Sequence, residues 1–276
     1  MMRIPGITAT RRALVAAPGR PFDLASRDSG DRSLFDDKET AKTSLKKDAA
    51  VINELKDRLY AEKKRSLLVV LQGMDTSGKS GTIRGVFSDT TPLGMEVKAF
   101  KAPSSNELAR DYLWRVHNAV PAKGQIGIFD RSHYEDVLVV KVRGFASAEA
   151  IEQRYEQINA FEKHLTENSV TIVKCMLNVG HEEQGIRLAE RLEEPHKLWK
   201  FNPADLEDRK RWHEFMSAYE TAVARCSTRH APWYVIPSDS RTRRNAMIAR
   251  LVRGALEDMK LEWPGPQYDP GDFDFG

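Results

Sequence analysis

Cysteine is scarce. Two occur in 276 residues, Cys175 and Cys226, far apart and without metal-ligand spacing. That excludes a disulfide framework and a cysteine zinc site. Cys175 lies inside an apolar run and reads as a buried small hydrophobe, and this usage suits a reducing cytoplasm. Long apolar runs are missing too: "LLVVL" at 67–71 is far too short to span a bilayer. A strong charge of either sign is absent. The net charge is +3, so no global basic field points to nucleic acid or membrane, and any basic site must be local. Aromatic–basic patches of the kind that hold nucleic acid are also missing. His181, His196, His213 and His230 stand in no zinc pattern, "HEEQG" lacks the second histidine of a metalloprotease helix, and no Cys-His or Ser-His-Asp arrangement is legible.

What is present is the material of an ordinary globular core, at 41% hydrophobic and 30% charged residues. The length suits one large α/β domain with a lid, or two small domains. Residues 1 to 38 carry Gly, Pro, Ser and charges without period and read as an irregular, poorly ordered arm. Pro5 and Arg11-Arg12 interrupt any apolar stretch of a secretory signal there. An Arg-rich transit peptide is the alternative. Next, Leu45, Val51, Ile52, Leu55 and Leu59 are spaced for one face of a helix. "SLLVVLQG" is a continuous β-branched run ending in Gly, which suits a strand buried on both faces. Weaker strand signals follow at "MEVKAF", "QIGIFD", "VTIVKCMLNV" and "WYVIPS". Helical stretches separate them: "KSGTIRGVFSD", "SSNELARDYLWRVHNAV" with Ser104 and Glu107 in capping-box spacing, and "SAEAIEQRYEQINAFEKHLTEN". Such alternation predicts a parallel sheet with helices on both faces.

Residues 181–226 break the alternation with two long charged helices. Pro195 stops the first, and Asn202-Pro203 starts the second, with Asp205 in its first turn. Inserted before the last strand, they are either a mobile lid or a surface helical pair. The basic C-terminal stretch "RTRRNAMIARLVRG" places Met247, Ile248, Leu251 and Val252 at the spacing of a docked helix.

The chemistry concentrates in two places. "GMDTSGKS" matches Gly, four residues, Gly-Lys-Ser, between a buried strand and a helix. In that context Gly73, Ser77, Gly78, Lys79 and Ser80 form a phosphate cradle. Backbone N–H groups hold the oxygens, Lys79 neutralises them and Ser80 is placed to ligate Mg2+. Asp75 inside such a loop repels a phosphate unless a cation lies between, so a metal or acceptor role is read here ahead of a turn-capping one. The second place is "IFDRSHYE". Asp130 ends a strand where a Walker-B carboxylate holds Mg2+, and Arg131 reaches for a phosphoryl group, or else the two form a strand-end ion pair. His133 is read as structural, because phosphoryl transfer rests on positioning and electrostatics. Arg187 and Arg191 lie one turn apart, with Lys197 and Lys200 beyond. They are phosphate-clamping cations if they face the loop, and a solvated salt-bridged face if they do not.

Taken together, "LLVVLQGMDTSGKSGTI", "LWRVH", "IGIFDRSHYEDVLVV", "KLWKFNPADLEDRKRW" and "HAPWYVIP" resemble blocks of the polyphosphate kinase 2 family, in the family's order, from about Arg20 onward. The "FDRSHYE" form resembles its class III subgroup, which accepts nucleoside mono- and diphosphates. The resemblance implies an α/β, three-layer P-loop kinase fold with a mostly parallel five-stranded sheet and a helical lid at about 181–226 within a domain of residues 39–276. It implies Mg2+-dependent transfer of the terminal phosphoryl of inorganic polyphosphate to nucleoside mono- or diphosphates. Asp75 and Asp130 would be the metal-associated acids with Ser80, Lys79 and Arg131 the clamp, and Arg187, Arg191, Lys197 and Lys200 the lid cations. Glu135 stands where the diphosphate-preferring subgroup tends to have Asn, which marks it for nucleotide selectivity. Thr76-Ser77 replaces a frequent Ala-Ala and Ser80 a frequent Gly or Asp. Gly185-Ile186 stands where family lids often carry further basic residues, which bears on the grip on long chains. The expected partners are polyphosphate, nucleotides and a second copy of the chain in a homo-oligomer, without nucleic acid or membrane. Rival readings of the P-loop are an ATP-dependent nucleoside monophosphate kinase and a regulatory ATPase.

Overall fold

A computed structural model describes residues 4–273, so the first three residues of the arm and the last three of the chain lie outside the described residues. Its framework is one sheet of five strands in the order β2-β3-β1-β4-β5, comprising β1 (Ser66–Gln72), β2 (Met95–Ala99), β3 (Ile126–Asp130), β4 (Val170–Asn178) and β5 (Trp233–Pro237). Every pairing is parallel, where a mostly parallel sheet was expected. β1 lies in the middle because both of its faces are apolar. Leu68 and Val70 enter one hydrophobic cluster, and Leu67, Val69 and Leu71 the other. At roughly 1.5–3 kcal/mol for each such side chain, this strand alone contributes on the order of 10 kcal/mol of gross burial.

Helices cover both faces. On one side lie α2 (Lys38–Glu62) and α11 (Arg241–Asp258), and α11 buries Met247, Ile248, Leu251 and Val252 as the spacing predicts. α3 (Lys79–Phe87) follows β1 directly on this side, sending Val86 and Phe87 into the same cluster. On the other side α7 (Ala148–Glu167) packs beside α10 (Trp212–Cys226). The chain passes from β1 to β2 and β3 on one side and then crosses to β4 and β5 on the other, and it is at the carboxyl ends beside such a reversal that α/β sheets bind ligands.

The structure corrects three expectations about elements. The arm is not irregular throughout: α1 (Ile7–Leu14) buries Thr10 and Leu14 and docks on α11. Ile7 lies against Gly254, where an added Cβ would be 2.5 Å from its Cγ2, and Ala16 donates to the carbonyl of Trp233 at 2.9 Å. Tertiary contact, not local periodicity, orders this segment. The capping box of Ser104 and Glu107 forms, but its helix α4 (Ser105–Leu108) stops after one turn. The Asp111 carboxylate then takes the N–H groups of Leu113 and Trp114 and starts α5 (Trp114–His117) afresh. After β3 come a 3-10 turn at His133–Asp136 and the short α6 (Val139–Val142). The last correction concerns the helical insert. α8 (His181–Glu193) is followed by a 3-10 turn at Pro195–Lys200, α9 (Ala204–Lys210) and α10. α10 buries Phe215, Tyr219 and Cys226 in the main core, so it is a layer helix, and the outward part of the insert is α8 to α9.

Beneath β3 lies a buried polar network. Lys174 Nζ donates to Glu162 Oε2 at 2.5 Å, to the Tyr134 hydroxyl at 2.8 Å and to the carbonyl of Cys226 at 2.8 Å. Tyr134 donates its hydroxyl proton to Glu162 Oε1, which His133 Nε2 also meets at 3.2 Å. Burial pushes the Glu162 pKa up, but Lys174 and His133 outweigh it and hold it below the usual carboxylate range. This anchors the turn after β3 from below, with His133 buried in the network against Glu162. Lys174→Met would leave the buried Glu162 charge without its ammonium partner, with only Tyr134 and His133 still bonded to it, which costs up to about 3–5 kcal/mol. Urea unfolding should show that loss, and the double variant Lys174→Met with Glu162→Leu should recover most of it.

Candidate active site

The P-loop runs from Gly73 to Gly78, between β1 and α3. Gly73 has φ +153°, and a Cβ there would lie 2.7 Å from both the Leu177 carbonyl and Ser77 Oγ. Gly78 has φ +104° and caps α3. Only glycine fits either place. Thr76 is also left-handed, at φ 61°, a conformation that a non-glycine residue holds only where its surroundings enforce it. The buried Lys79 donates through Nζ to the carbonyls of Gly73 (2.7 Å) and Met74 (3.2 Å). Burial, followed by Arg131, presses its pKa down, against Asp75, Asp130 and Glu135, which raise it.

β3 pairs Asp130 with Leu71, which sets its carboxylate beside the loop. Ser80 Oγ donates to Asp130 Oδ2 at 3.0 Å, and Arg131 Nη2 meets Asp75 Oδ1 at 2.5 Å. Arg131, at φ 63°, is turned into the site by its own backbone. Burial lowers its pKa, but Asp75, Glu135 and Asp130 outweigh it and raise it. Glu135 accepts from Gln72 Nε2 at 2.6 Å, while Ser132 donates to the other end of the same amide at 3.2 Å. Its own pKa is raised by burial, against Arg131, Gln72 and Lys79. Glu135 therefore lies among the charges of the site, with an amide partner in place of a lysine or arginine.

These donors suit a hard cation. Ser80, Asp130 and Asp75 offer oxygen alone, the ligand type of Mg2+. Among the described residues no three His, Cys, Asp or Glu side chains form an all-protein metal cage.

The four expected lid cations are not alike. Arg187 is buried and differs most from the expectation. Its guanidinium donates to the carbonyls of Thr76 (3.0 Å), Ser77 (3.3 Å), Ser238 (2.8 Å) and Asp239 (2.8 Å), and its Nε to Glu183 (2.7 Å). All five donors are committed, so Arg187 is a strut between α8, the P-loop and the end of β5. Arg191 pairs with Asp205 at 2.7 Å inside the insert, and Lys197 with Glu194 at 2.6 Å. Lys200 stacks over the exposed Trp199 ring at 5.0 Å. The insert also carries acid towards the site. Burial and then the Asp75 charge push the Asp205 pKa up to about 6.

Comparisons with known proteins show the family and its fold. The model of the polyphosphate kinase 2 (PPK2) family matches residues 35–264. The chain belongs to the polyphosphate kinase 2 family. It is 44% identical over 254 residues to an AMP/ADP-polyphosphate phosphotransferase of Meiothermus ruber, covering 91% of this chain and 94% of that one. It is 34% identical over 258 residues to an ADP-polyphosphate phosphotransferase of Rhodopseudomonas palustris, covering 89% of each. The crystal structure of polyphosphate kinase 2 from Arthrobacter aurescens superposes with a TM-score of 0.93 at 38% identity, over 99% of this chain and 96% of that one. The α/β P-loop kinase fold is thus that of the family.

Sequence reasoning missed three contributors. Gln72 ends the apolar strand and looked like mere strand end, yet it holds Glu135. Gln184 donates to the carbonyl of Asp75 at 3.3 Å, joining α8 to the loop. Arg244, within a helix read as docked, donates to the carbonyl of Ser77 at 3.1 Å. No local signal marks a contact across 167 residues. The contrast between struts and outer cations is testable in this family member. Arg187→Ala strands several buried carbonyls, at about 1–3 kcal/mol each. It should lower Tm and raise KM for both substrates. Arg191→Ala should raise KM for polyphosphate alone, and steady-state kinetics with each substrate varied in turn separates the two.

Proposed function

We propose that the chain moves the terminal phosphoryl group of inorganic polyphosphate to AMP and ADP, forming ADP and ATP, with Mg2+. The observation that carries the reading is the Ser80–Asp130 pair beside a P-loop in a member of this family. The relatives' names supply the acceptors, AMP and ADP. An oxygen of the acceptor's terminal phosphate attacks the end phosphorus of polyphosphate. The bond from that phosphorus to the next bridging oxygen breaks, and the shortened chain leaves with the electron pair. Phosphate oxygens are ionised at neutral pH, so no base is required, which accords with the buried, paired His133. The task is to bring anions together and hold them in line. Lys79 and Arg131 supply positive charge at the transferred group, and the P-loop N–H groups orient it. Ser80, Asp130 and Asp75 would hold Mg2+, which would supply positive charge against the phosphates. A homo-oligomer and a cytoplasmic location belong to the same reading. Two buried, unpaired cysteines suit the location, and no helix among the described residues is long and apolar enough to cross a membrane. Sedimentation of the purified chain tests the assembly.

Purified protein given ADP, polyphosphate and Mg2+, without ATP, should produce ATP. A monophosphate kinase using ATP as donor would form ATP and AMP from two ADP whether or not polyphosphate is present, and a regulatory ATPase would form none. The deciding result is therefore ATP formation that requires polyphosphate. Asp75→Asn and Asp130→Asn should each lower kcat by at least ~100-fold with the fold intact, about 2.7 kcal/mol of transition-state stabilisation. Near wild-type rates at saturating Mg2+ would return either carboxylate to a turn or ion-pair role.

Glu135 selects between acceptors in this reading. A monophosphate leaves the space of a β-phosphate to water or a hydrated cation, which a carboxylate holds better than an amide. Glu135→Asn should shift the ratio of kcat/KM for AMP over ADP about tenfold towards ADP, or about 1.4 kcal/mol. An unchanged ratio at fixed polyphosphate and Mg2+ sinks the selector role.

A further inference from the structure

Arg244 and the strut Arg187 are buried cations at the P-loop that the proposed transfer does not use, and of the two only Arg187 has a carboxylate partner, Glu183. Arg244 is 2% exposed, and α11 carries its guanidinium against the back of the loop. A Cβ on Gly78 would lie 2.0 Å from its Nη1, so Gly78 is shaped as much by this arginine as by its own φ. Nη1 donates to the carbonyl of Ser77, and Nε and Nη2 donate to Asn245 Oδ1 at 3.2 and 3.0 Å. Among the described residues no carboxylate pairs with it. The charges it feels most are Arg187 and Arg241, both positive, and burial with these two presses its pKa down to about 9. It remains a guanidinium cation at neutral pH. A buried charge without a counter-ion is costly to fold.

We propose that the missing counter-charge is the ligand: Arg244 is a positioning residue that keeps a positive charge behind the Ser77–Gly78 peptide, and phosphate bound in the loop balances that charge from the other side of the peptide. The peptide is trans and planar, so holding the Ser77 carbonyl towards Arg244 turns the Gly78 N–H to the opposite side. One peptide therefore separates the guanidinium from the phosphate side of the cradle. Arg244 acts through that peptide in two ways, by orienting its N–H and by adding charge where little water screens it. Ser77 keeps a second donor in Arg187, so the carbonyl itself does not require Arg244. Charge at the loop is thereby built in advance of the ligand, and folding stability is given up for phosphate affinity. The inference rests on the proposed phosphate-binding role of the loop.

The test is calorimetric binding of tripolyphosphate with Mg2+, together with Tm of the free protein, in wild type, Arg244→Met and Asn245→Asp. Asn245→Asp is nearly isosteric and hands Arg244 the carboxylate it lacks. Both variants should bind tripolyphosphate about tenfold or more weakly, a change of about 1.4 kcal/mol. Neither should lower the Tm of the free protein, and Asn245→Asp should raise it. A purely structural arginine gives the reverse: Arg244→Met lowers Tm and leaves affinity within about twofold. If Arg244→Met does not fold, Asn245→Asp decides alone, and unchanged affinity there overturns the proposal. Failure of the wild type itself to bind tripolyphosphate removes the phosphate-loop reading and this inference with it. A wild type that binds, with variants that bind equally, removes only the inference.

Discussion

A phosphate cradle works only if its peptide N–H groups face the ligand, and in this chain that orientation is fixed by what holds the carbonyls. Each carbonyl from Gly73 to Ser77 has a donor. Lys79 takes Gly73 and Met74, Gln184 takes Asp75, Arg187 takes Thr76 and Ser77, and Arg244 takes Ser77 again. Three of these donors are cations, so the scaffold of the loop and its positive charge are the same groups. The two glycines and the left-handed Thr76 are then consequences of the wrap that these bonds impose. α8 and α11 reach the loop from different parts of the chain, which makes the site a product of tertiary packing and not of the eight-residue motif alone.

The second constraint is charge. Moving a phosphoryl group from one polyanion to another needs positive charge at the centre and enough negative charge around it to keep the empty-handed protein folded. Asp75 against Arg131, and Asp130 and Glu135 near Lys79, meet that need in pairs that a metal ion and phosphates would rearrange. The insert continues the alternation, since Asp205 pairs with Arg191 and also feels Asp75. It is a mixed surface and not a uniform basic clamp, which matches the sparse basic residues at Gly185-Ile186. Polar support from below, through Lys174, Glu162 and Tyr134, keeps the turn carrying Arg131 and Glu135 at a set height over the sheet.

Much of this was legible in the sequence, and the reasons are local. The continuous apolar run of β1 declared a strand covered on both faces, and shorter runs gave the others, down to the exposed edge strand β2, which Glu96 and Lys98 interrupt. Gly73, Gly78, Lys79 and Ser80 declared the loop, because backbone geometry restricts those positions to few residue types. The place of Asp130 at the end of β3 was legible from the apolar run that precedes it. The rest depended on contacts between distant segments. Arg187 had the spacing of a surface cation and proved a buried strut, since helix periodicity tells which residues share a face but not what that face meets. Arg244 sat in a basic stretch whose apolar neighbours explained it sufficiently. Lys174 lay unmarked in a strand, its partner in α7. The arm lacked period because an eight-residue helix takes its order from α11 and β5.

The central claim is transfer between phosphates at this loop, and 31P NMR of one mixture tests it most directly. Protein, Mg2+, AMP and tripolyphosphate are followed over time without added ATP. The account predicts that tripolyphosphate end groups decline as the β-phosphate of ADP and free pyrophosphate rise in equal amounts, with little inorganic phosphate. Tripolyphosphate that is consumed with release of inorganic phosphate while AMP stays unchanged would contradict it, because the loop would then be handing its phosphoryl group to water.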